Sequence, residues 1–346
     1  MTSMKIRTAS IALIALAGMG CRDMSMDMDT GMNPADAGGD MGVRTDSATD
    51  MGTNPTDTGG NDVVTPPTDG GTTGVTIRQI QDLADPMHPA SGSHVTINEP
   101  NLVALTGRIV TSSATGGTSG TCRFAIWVGT GQAGDFTGVL VQDTSMPVGD
   151  AGFCSNLTGH IPADIVPGTP ITALSDLTYT EFCAGPTGTD QTMCRNWEQT
   201  ELSLRGTSVF TVGTGMNAPP ATTATPPELG AMNSTMPGTR ALNLEGGLVQ
   251  VNNAIVHVSM PDAAFPDYYL TDAVGSSNEI QIETQNAFSA SCIRAYLATH
   301  DGMTIPSLQG TLEPSFGVWA IRVSGPSNIG GLNCSRDGGT GTDAGD

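Results

Sequence analysis

One lysine, Lys5, occurs in 346 residues. Only 13 Lys and Arg stand against 34 Asp and Glu, for a net charge of -21. Phosphate backbones are held by Lys and Arg, so a nucleic acid is not an expected partner. Aromatic residues are also scarce at 4%, and the first is Phe124, so the opening third has little with which to build a core. No apolar run reaches the roughly 20 residues of a membrane-spanning helix. The 45 Gly and 22 Pro fall short of the share that marks a wholly low-complexity chain. This composition fits one or two globular domains joined to a disordered acidic stretch.

What is present begins with an export signal. Lys5 and Arg7 precede a short apolar run, 11–17, and the small residues Gly18 and Gly20 lead to Cys21. Residues 1–21 resemble a bacterial lipoprotein signal, in which the cysteine receives lipid and becomes the new N-terminus. Gly18 stands where that signal prefers Leu. The resemblance implies lipidation of Cys21, a membrane partner through the lipid, and a place on the outer membrane or cell surface. An ordinary cleaved signal with an incidental Cys21 would leave the protein periplasmic or secreted.

Seven cysteines are an odd number. Setting Cys21 aside leaves Cys122, Cys154, Cys183, Cys194, Cys292 and Cys334, enough for three disulfides in an oxidising compartment. Sequence neighbourhood favours Cys122–Cys154, Cys183–Cys194 and Cys292–Cys334 among the possible connectivities. None belongs to a C-x-x-C pair, which argues against zinc or thioredoxin-like chemistry.

Residues 22–75 carry ten Asp, two Arg and no aromatic residue. Such a segment buries too little apolar surface to offset its ordering entropy, and charge repulsion extends it. It reads as a disordered tether, and 336–346 as a disordered tail. Met24, Met26 and Met28 alternate in the tether, but without His or Cys they do not make a copper site. Its Asp residues lack the spacing of a calcium loop. Between tether and tail, residues 76–335 hold eight Arg, 21 acidic residues and no Lys, so the folded part is itself acidic. Such an exterior suits high ionic strength or a crowded anionic cell surface.

That region opens on a helix signal. Thr76 and Gln79 have capping-box spacing, and Ile77, Ile80 and Leu83 share a helical face. Short apolar runs bounded by Gly, Pro, Ser and Thr then predict strands. They fall at 102–111, 124–128, 139–142, 170–179 and 201–212, with room for a short helix in 154–166. A second set falls at 244–258, 268–271, 279–283, 303–312 and 318–323, with a helix at 290–298. Leu105–Val110 echoes Leu244–Val249, and Gly168–Ile171 echoes Gly302–Ile305. A helix between the third and fourth of five strands is the order of the OB barrel. The expected fold is all-β: OB-like domain 1 at 76–217, a linker rich in Pro, Thr and Met at 218–239, and OB-like domain 2 at 240–335.

The segments VTIRQIQD, ALTGRIVTS and FAIWV…GVLVQD, followed by a strand that starts on Gly, resemble the OB-like domain found beside extracellular bacterial nucleases. NLEGGLVQVNNAIVHV, after PPATTATPPELG, resembles the start of a second copy in tandem forms. Such tandem copies occur in surface lipoproteins with Asp/Gly-rich tethers, of the kind myxobacteria make. The resemblance covers roughly 75–325 and implies a fold rather than an activity. The nuclease relatives carry catalysis in a separate domain, so no catalytic residue transfers.

Catalytic signatures are weak. Residues 129–134 satisfy G-x-G-x-x-G, but a strand rather than a helix follows, so a hairpin loop is expected. His88, His94, His160, His257 and His300 include no i, i+4 pair, and for His88 and His94, which flank one loop, no third metal ligand is evident. The core has no G-x-S-x-G elbow. Glu198 and Glu201 would serve glycoside chemistry only inside a cleft. Trp127, Trp197, Trp319, Tyr268 and Tyr269 are candidates for a ligand face, although core positions account for most of so small a set. The sequence therefore points to no catalytic residue, cofactor or metal. Its expected role is a non-enzymatic surface module that binds a protein or glycan, with a secreted hydrolase or nuclease-accessory protein as the alternative.

Overall fold

In the computed structural model, residues 73–112, 121–143, 146–147, 154, 157–185, 194–262, 265–285, 287–315 and 317–334 are described. Cys21, the signal, most of the tether and the tail lie outside these residues. After a short strand, β1 (Thr73–Val75), Thr76 and Gln79 cap each other. Gln79 N–H donates to Thr76 Oγ1 at 3.2 Å, and Thr76 N–H to Gln79 Oε1 at 2.9 Å. This box starts α1 (Ile77–Gln81), whose Ile77 and Ile80 are buried.

The first half continues through β2 (His94–Ile97), β3 (Leu102–Ala104), β4 (Ile109–Ser112), β5 (Thr121–Gly129) and β6 (Gly138–Asp143). Next come β7 (Met146–Pro147), β8 (Pro170–Ser175), β9 (Leu177–Cys183), β10 (Glu198–Leu204) and β11 (Val209–Val212). They form one curled sheet in the order β1-β2-β9-β10-β6-β5-β3-β8-β11, with β4 and β7 also on β5. Two pairs, β1–β2 and β6–β10, are parallel. The glycine-rich 129–134 loop closes the antiparallel β5–β6 hairpin, with Thr130 N–H donating to Thr137 O at 2.9 Å. At the start of the 154–166 stretch expected to hold a short helix, Cys154 has 3-10 geometry and accepts from Leu157 N–H at 3.2 Å, whereas 157–166 runs as turns and irregular chain. Gly159 and Pro162 break the helical pattern there.

The second half repeats the entry: β12 (Thr222–Thr223) leads to α2 (Pro226–Leu229), where Glu228 accepts from Thr225 N–H at 2.7 Å. The hairpin β13 (Gly230–Ala231) and β14 (Met236–Pro237) and the turn α3 (Ala241–Leu244) follow. Thus the 218–239 stretch, read as a linker by composition, contributes buried Ala224 and Leu229 to the second core. Then come β15 (Leu248–Asp262), β16 (Phe265–Thr271), β17 (Glu279–Glu283), α4 (Ala290–Thr299), β18 (Thr304–Ser315) and β19 (Val318–Arg322). These five strands close a barrel in the order β15-β16-β17-β19-β18 and back to β15. Only β17–β19 is parallel within the ring.

Strand β15 serves two neighbours. Asn253 takes φ 52° and interrupts the ladder between the Asn252–Ser307 and Ala254–Ile305 pairs, where Pro306, which has no N–H to donate, stands opposite. The buried set then switches from Val249 and Val251 to Ala254 and Val256. The register is kept across this point; β18 pairs with 248–255, and β16 takes over from Ile255 onward. In the first half Asp176, at φ 55°, sits between β8 and β9, which pair with different neighbours.

The halves share a second landmark. Gly168 N–H donates to Ala104 O and Gly302 N–H to Val256 O, both at 2.8 Å, and both glycines have positive φ (88° and 71°). Ala104 N–H to Thr169 O and Val256 N–H to Met303 O complete the match at 2.9 Å each. The Gly168/Gly302 echo is therefore structural. The other echo is not: Val256, rather than a residue of 244–249, occupies the place of Ala104.

The described residues all lie in one compact unit. One core fills each half, and a third cluster (Val103, Leu105, Trp127, Leu140 and Leu248) joins them. At this junction backbone meets backbone: a Cβ on Gly138 would lie 2.0 Å from Gly246 O, with Gly246 itself at φ 72°. Gly138→Ala is expected to cost about 1–3 kcal/mol through forced backbone displacement, read as a lower urea midpoint. Among the described residues no helix is long and apolar enough to cross a membrane.

Candidate functional site

The six core cysteines form Cys122–Cys154, Cys183–Cys194 and Cys292–Cys334, with Cα separations of 5.6, 5.5 and 6.1 Å. Disulfides of this number belong to an oxidising compartment, periplasmic or extracellular. A cleft of about 170 Å³ lies where the two halves meet, and Cys194 of the second disulfide adjoins its lining residue Arg195. The first half supplies Gln81 to Ala84 from the end of α1, Glu181 from β9, and Glu198 and Thr200 from β10. Leu242, Asn243 and Glu245 come from the second half. Phe136, from the β5–β6 loop, and Arg195 complete the wall.

Gln81 binds the halves together at the cleft floor. Its Nε2 donates to Glu245 O at 2.7 Å and to Glu245 Oε2 at 2.9 Å. Gln81 is 9% exposed and Glu245 4%, yet Gln81 Oε1 has no hydrogen-bond partner. A buried acceptor left unmatched is costly, and is satisfied when a donor enters.

Glu181 ends a chain of polar contacts. His88 Nδ1 lies 3.1 Å from Gln79 O and donates to it, which turns Nε2 toward Tyr179 Oη at 2.9 Å. Tyr179 also hydrogen-bonds Glu181, and Thr200 Oγ1 donates to the same carboxyl at 3.2 Å. The single phenolic proton serves one neighbour at a time: Glu181 when ionised, His88 when Glu181 holds its own proton. Burial pushes Glu181 up to about 7 against the Tyr179 hydrogen bond, with the Glu198 charge adding to the rise. Burial also pushes Glu245 well above the carboxylate range, and the Glu181 charge pushes the same way.

Glu181 binds its proton more tightly in the folded chain than in the unfolded one, so its contribution to stability is lost as pH rises through about 7. Glu181→Gln is expected to match the wild type at pH 5 and to exceed its urea midpoint at pH 8.5.

No family model, curated protein or solved structure matches the chain.

Glu198 and Glu201 do not form an acid pair in this cleft. They lie three residues apart on β10, where the faces alternate, so Glu198 lines the cleft while Glu201 hydrogen-bonds Gln142. Their places as partners are taken by Glu181 and Glu245. Glu181 was findable: it continues the 177, 179 alternation of buried residues along β9. Glu245 comes from the other half, and no local pattern marks it. His88 and His94 also part company. His94 instead meets Arg205 at 2.8 Å and Asp176 at 3.5 Å. His160 pairs with Asp143 and His257 with Glu279, each at 2.6 Å. His300 stacks on Tyr296. Among the described residues no three His, Cys, Asp or Glu converge as metal ligands would. Trp127, Trp197, Trp319 and Tyr268 are buried, leaving Tyr269 half-buried.

Proposed function

We propose that this chain is a lipid-anchored surface lipoprotein whose folded part is a non-enzymatic binding module for a protein ligand, built from two OB-like barrels in tandem. The second barrel, with its helix between third and fourth strands and its third and fifth strands parallel, has the order expected of the OB class. In the first half the parallel pair β6–β10 takes the same place. Counting β8 and β9 as one strand bent at Asp176 brings that half to the same ring order.

The observation that carries the binding role is the junction cleft, whose buried Gln81 Oε1 awaits a donor. A protein is favoured over a glycan because the tryptophans that would stack on sugar rings are inside the cores. Retention of envelope material by the full mature chain, abolished by prior proteinase treatment of that material, is the expected result. Loss on periodate treatment instead would assign a glycan, and absence of retention would overturn the binding role.

The raised carboxyls Glu181 and Glu245 favour the runner-up, a secreted hydrolase, because shifted acids in a cleft mark catalytic sites. Incubation with DNA, RNA and phosphodiesters in Mg²⁺, Mn²⁺ or Ca²⁺ is expected to give no turnover, and turnover lost in Glu181→Gln would overturn the non-enzymatic reading. Lipid labelling is expected in the wild type and lost in Cys21→Ser.

A further inference from the structure

We propose that the junction cleft recognises a primary alkylammonium group, the side chain of a lysine on the protein ligand. The inference rests on the binding role above and names the group bound. Four features converge on it.

The floor offers acceptors in excess of donors. Glu181, Glu198 and Glu245 line it together with the unpartnered Gln81 Oε1, and Asp82 stands at the edge. Among the described residues Arg195 is the one basic residue in the lining, and it is exposed. The acceptors arrive from the end of α1, from β9 and β10, and from the second half. That spread suits the three diverging donors of an ammonium better than the coplanar fork of a guanidinium, which wants two oxygens side by side.

A bare metal ion fits less well. Calcium needs six to eight oxygens at about 2.3–2.6 Å, and no such convergence exists among the described residues. Charge-assisted N–H···O bonds close at about 2.7–2.9 Å and tolerate acceptors spread around the nitrogen.

The rim is apolar. Leu83 from the first half and Leu242 from the second line the cleft at 44% and 41% exposure. Large apolar side chains left in water at the mouth of an acidic pocket match an aliphatic stem that carries a charged head.

The fourth feature is the lysine count. Residues 76–335 contain none, and Lys5 lies in the export signal. Copies crowded on one surface cannot occupy each other's clefts, which a lysine-bearing exterior would allow.

Binding is coupled to protons. Around Glu181 stand Tyr179 on its own strand, Glu198 and Glu201 on β10, and Glu245 across the junction; Glu313 on β18 acts on Glu245. Asp82, Arg195 and, behind Tyr179, His88 complete the charged and titratable set. An arriving ammonium favours the ionised carboxyls, so protons leave as it binds and affinity rises with pH through about 7.

The test is titration of the full mature chain with Nα-acetyl-lysine amide, followed by NMR shifts and by calorimetry in buffers of different ionisation heat at pH 6 and 8. Nα-acetyl-norleucine amide keeps a linear aliphatic side chain without charge, and Nα-acetyl-arginine amide changes the head. Saturable lysine binding is expected, with proton release, tighter at pH 8, and about tenfold weaker in Glu245→Gln or Glu181→Gln. Leu242→Ser is expected to weaken it less. Equal binding of the norleucine probe, tighter binding of the arginine probe, absence of shifts at the cleft, or unchanged affinity in both folded carboxyl variants would overturn the inference. Envelope protein retained equally by wild type and Glu245→Gln would leave the binding role standing and remove the lysine assignment. Retention of nothing by the wild type would remove both.

Discussion

Reduction of the three disulfides is expected to unfold the protein. The loops they close span sequence separations of 32, 11 and 42 residues. Chain-entropy reasoning assigns about 3–4 kcal/mol to each closure, on the order of 10 kcal/mol together. Domains are stable by about 5–15 kcal/mol in all, so their loss removes most or all of the margin. Circular dichroism in excess dithiothreitol should show loss of the strand signal at 37 °C, and mapping without reduction should find no free thiol among the six cysteines. A reduced chain that keeps its native urea midpoint would mean that the two cores suffice. Cys292–Cys334 is expected to matter most singly, because it closes the longest loop and ties α4 to the chain beyond β19.

Arg322→Met is expected to cost about 3–5 kcal/mol, the usual consequence of stranding one member of a buried ion pair. Arg322 Nε donates to Glu313 Oε1 at 2.7 Å across the β18–β19 pair, and Glu313 is 4% exposed. Burial pushes Glu313 upward even now, against the pull of Arg322. Without the guanidinium it would take a proton instead of staying charged. The destabilisation should therefore be smaller at pH 5 than at pH 8, with a melting temperature lower by on the order of 10 °C at the higher pH. The double variant Arg322→Met, Glu313→Leu should recover most of the loss, since an apolar pair of similar volume avoids both desolvation costs. A variant as stable as the wild type at pH 8 would show that Glu313 has another partner.

Much of this architecture was legible in residue order. The spacing of Thr76 and Gln79 foretold α1, and the short apolar runs at 279–283 and 318–323 placed β17 and β19 within a residue. Neighbouring cysteines paired as proximity suggests, because strand meanders keep sequence neighbours close in space. Composition misled at 218–239: Pro226 and Pro227 look like breakers, yet they occupy the first turn of α2, where a missing N–H costs nothing. Sequence likeness between 105–110 and 244–249 has no counterpart in the hydrogen bonding, whereas Gly168 and Gly302 make matching bonds. The cleft was hidden for a different reason. Its floor joins Gln81 to Glu245 across 164 residues, and no periodicity records so distant a contact.

Trp197 belongs by chain order to the first half, but it is buried in the core of the second, and Trp319 Nε1 donates to Asn196 O at 2.9 Å. Removing the first half would therefore open a hole of indole size in what remained. The two halves, tandem along the chain, are one cooperative body when heated. A calorimeter should record a single endotherm, and neither half is a portable part that recombination can lend to another protein.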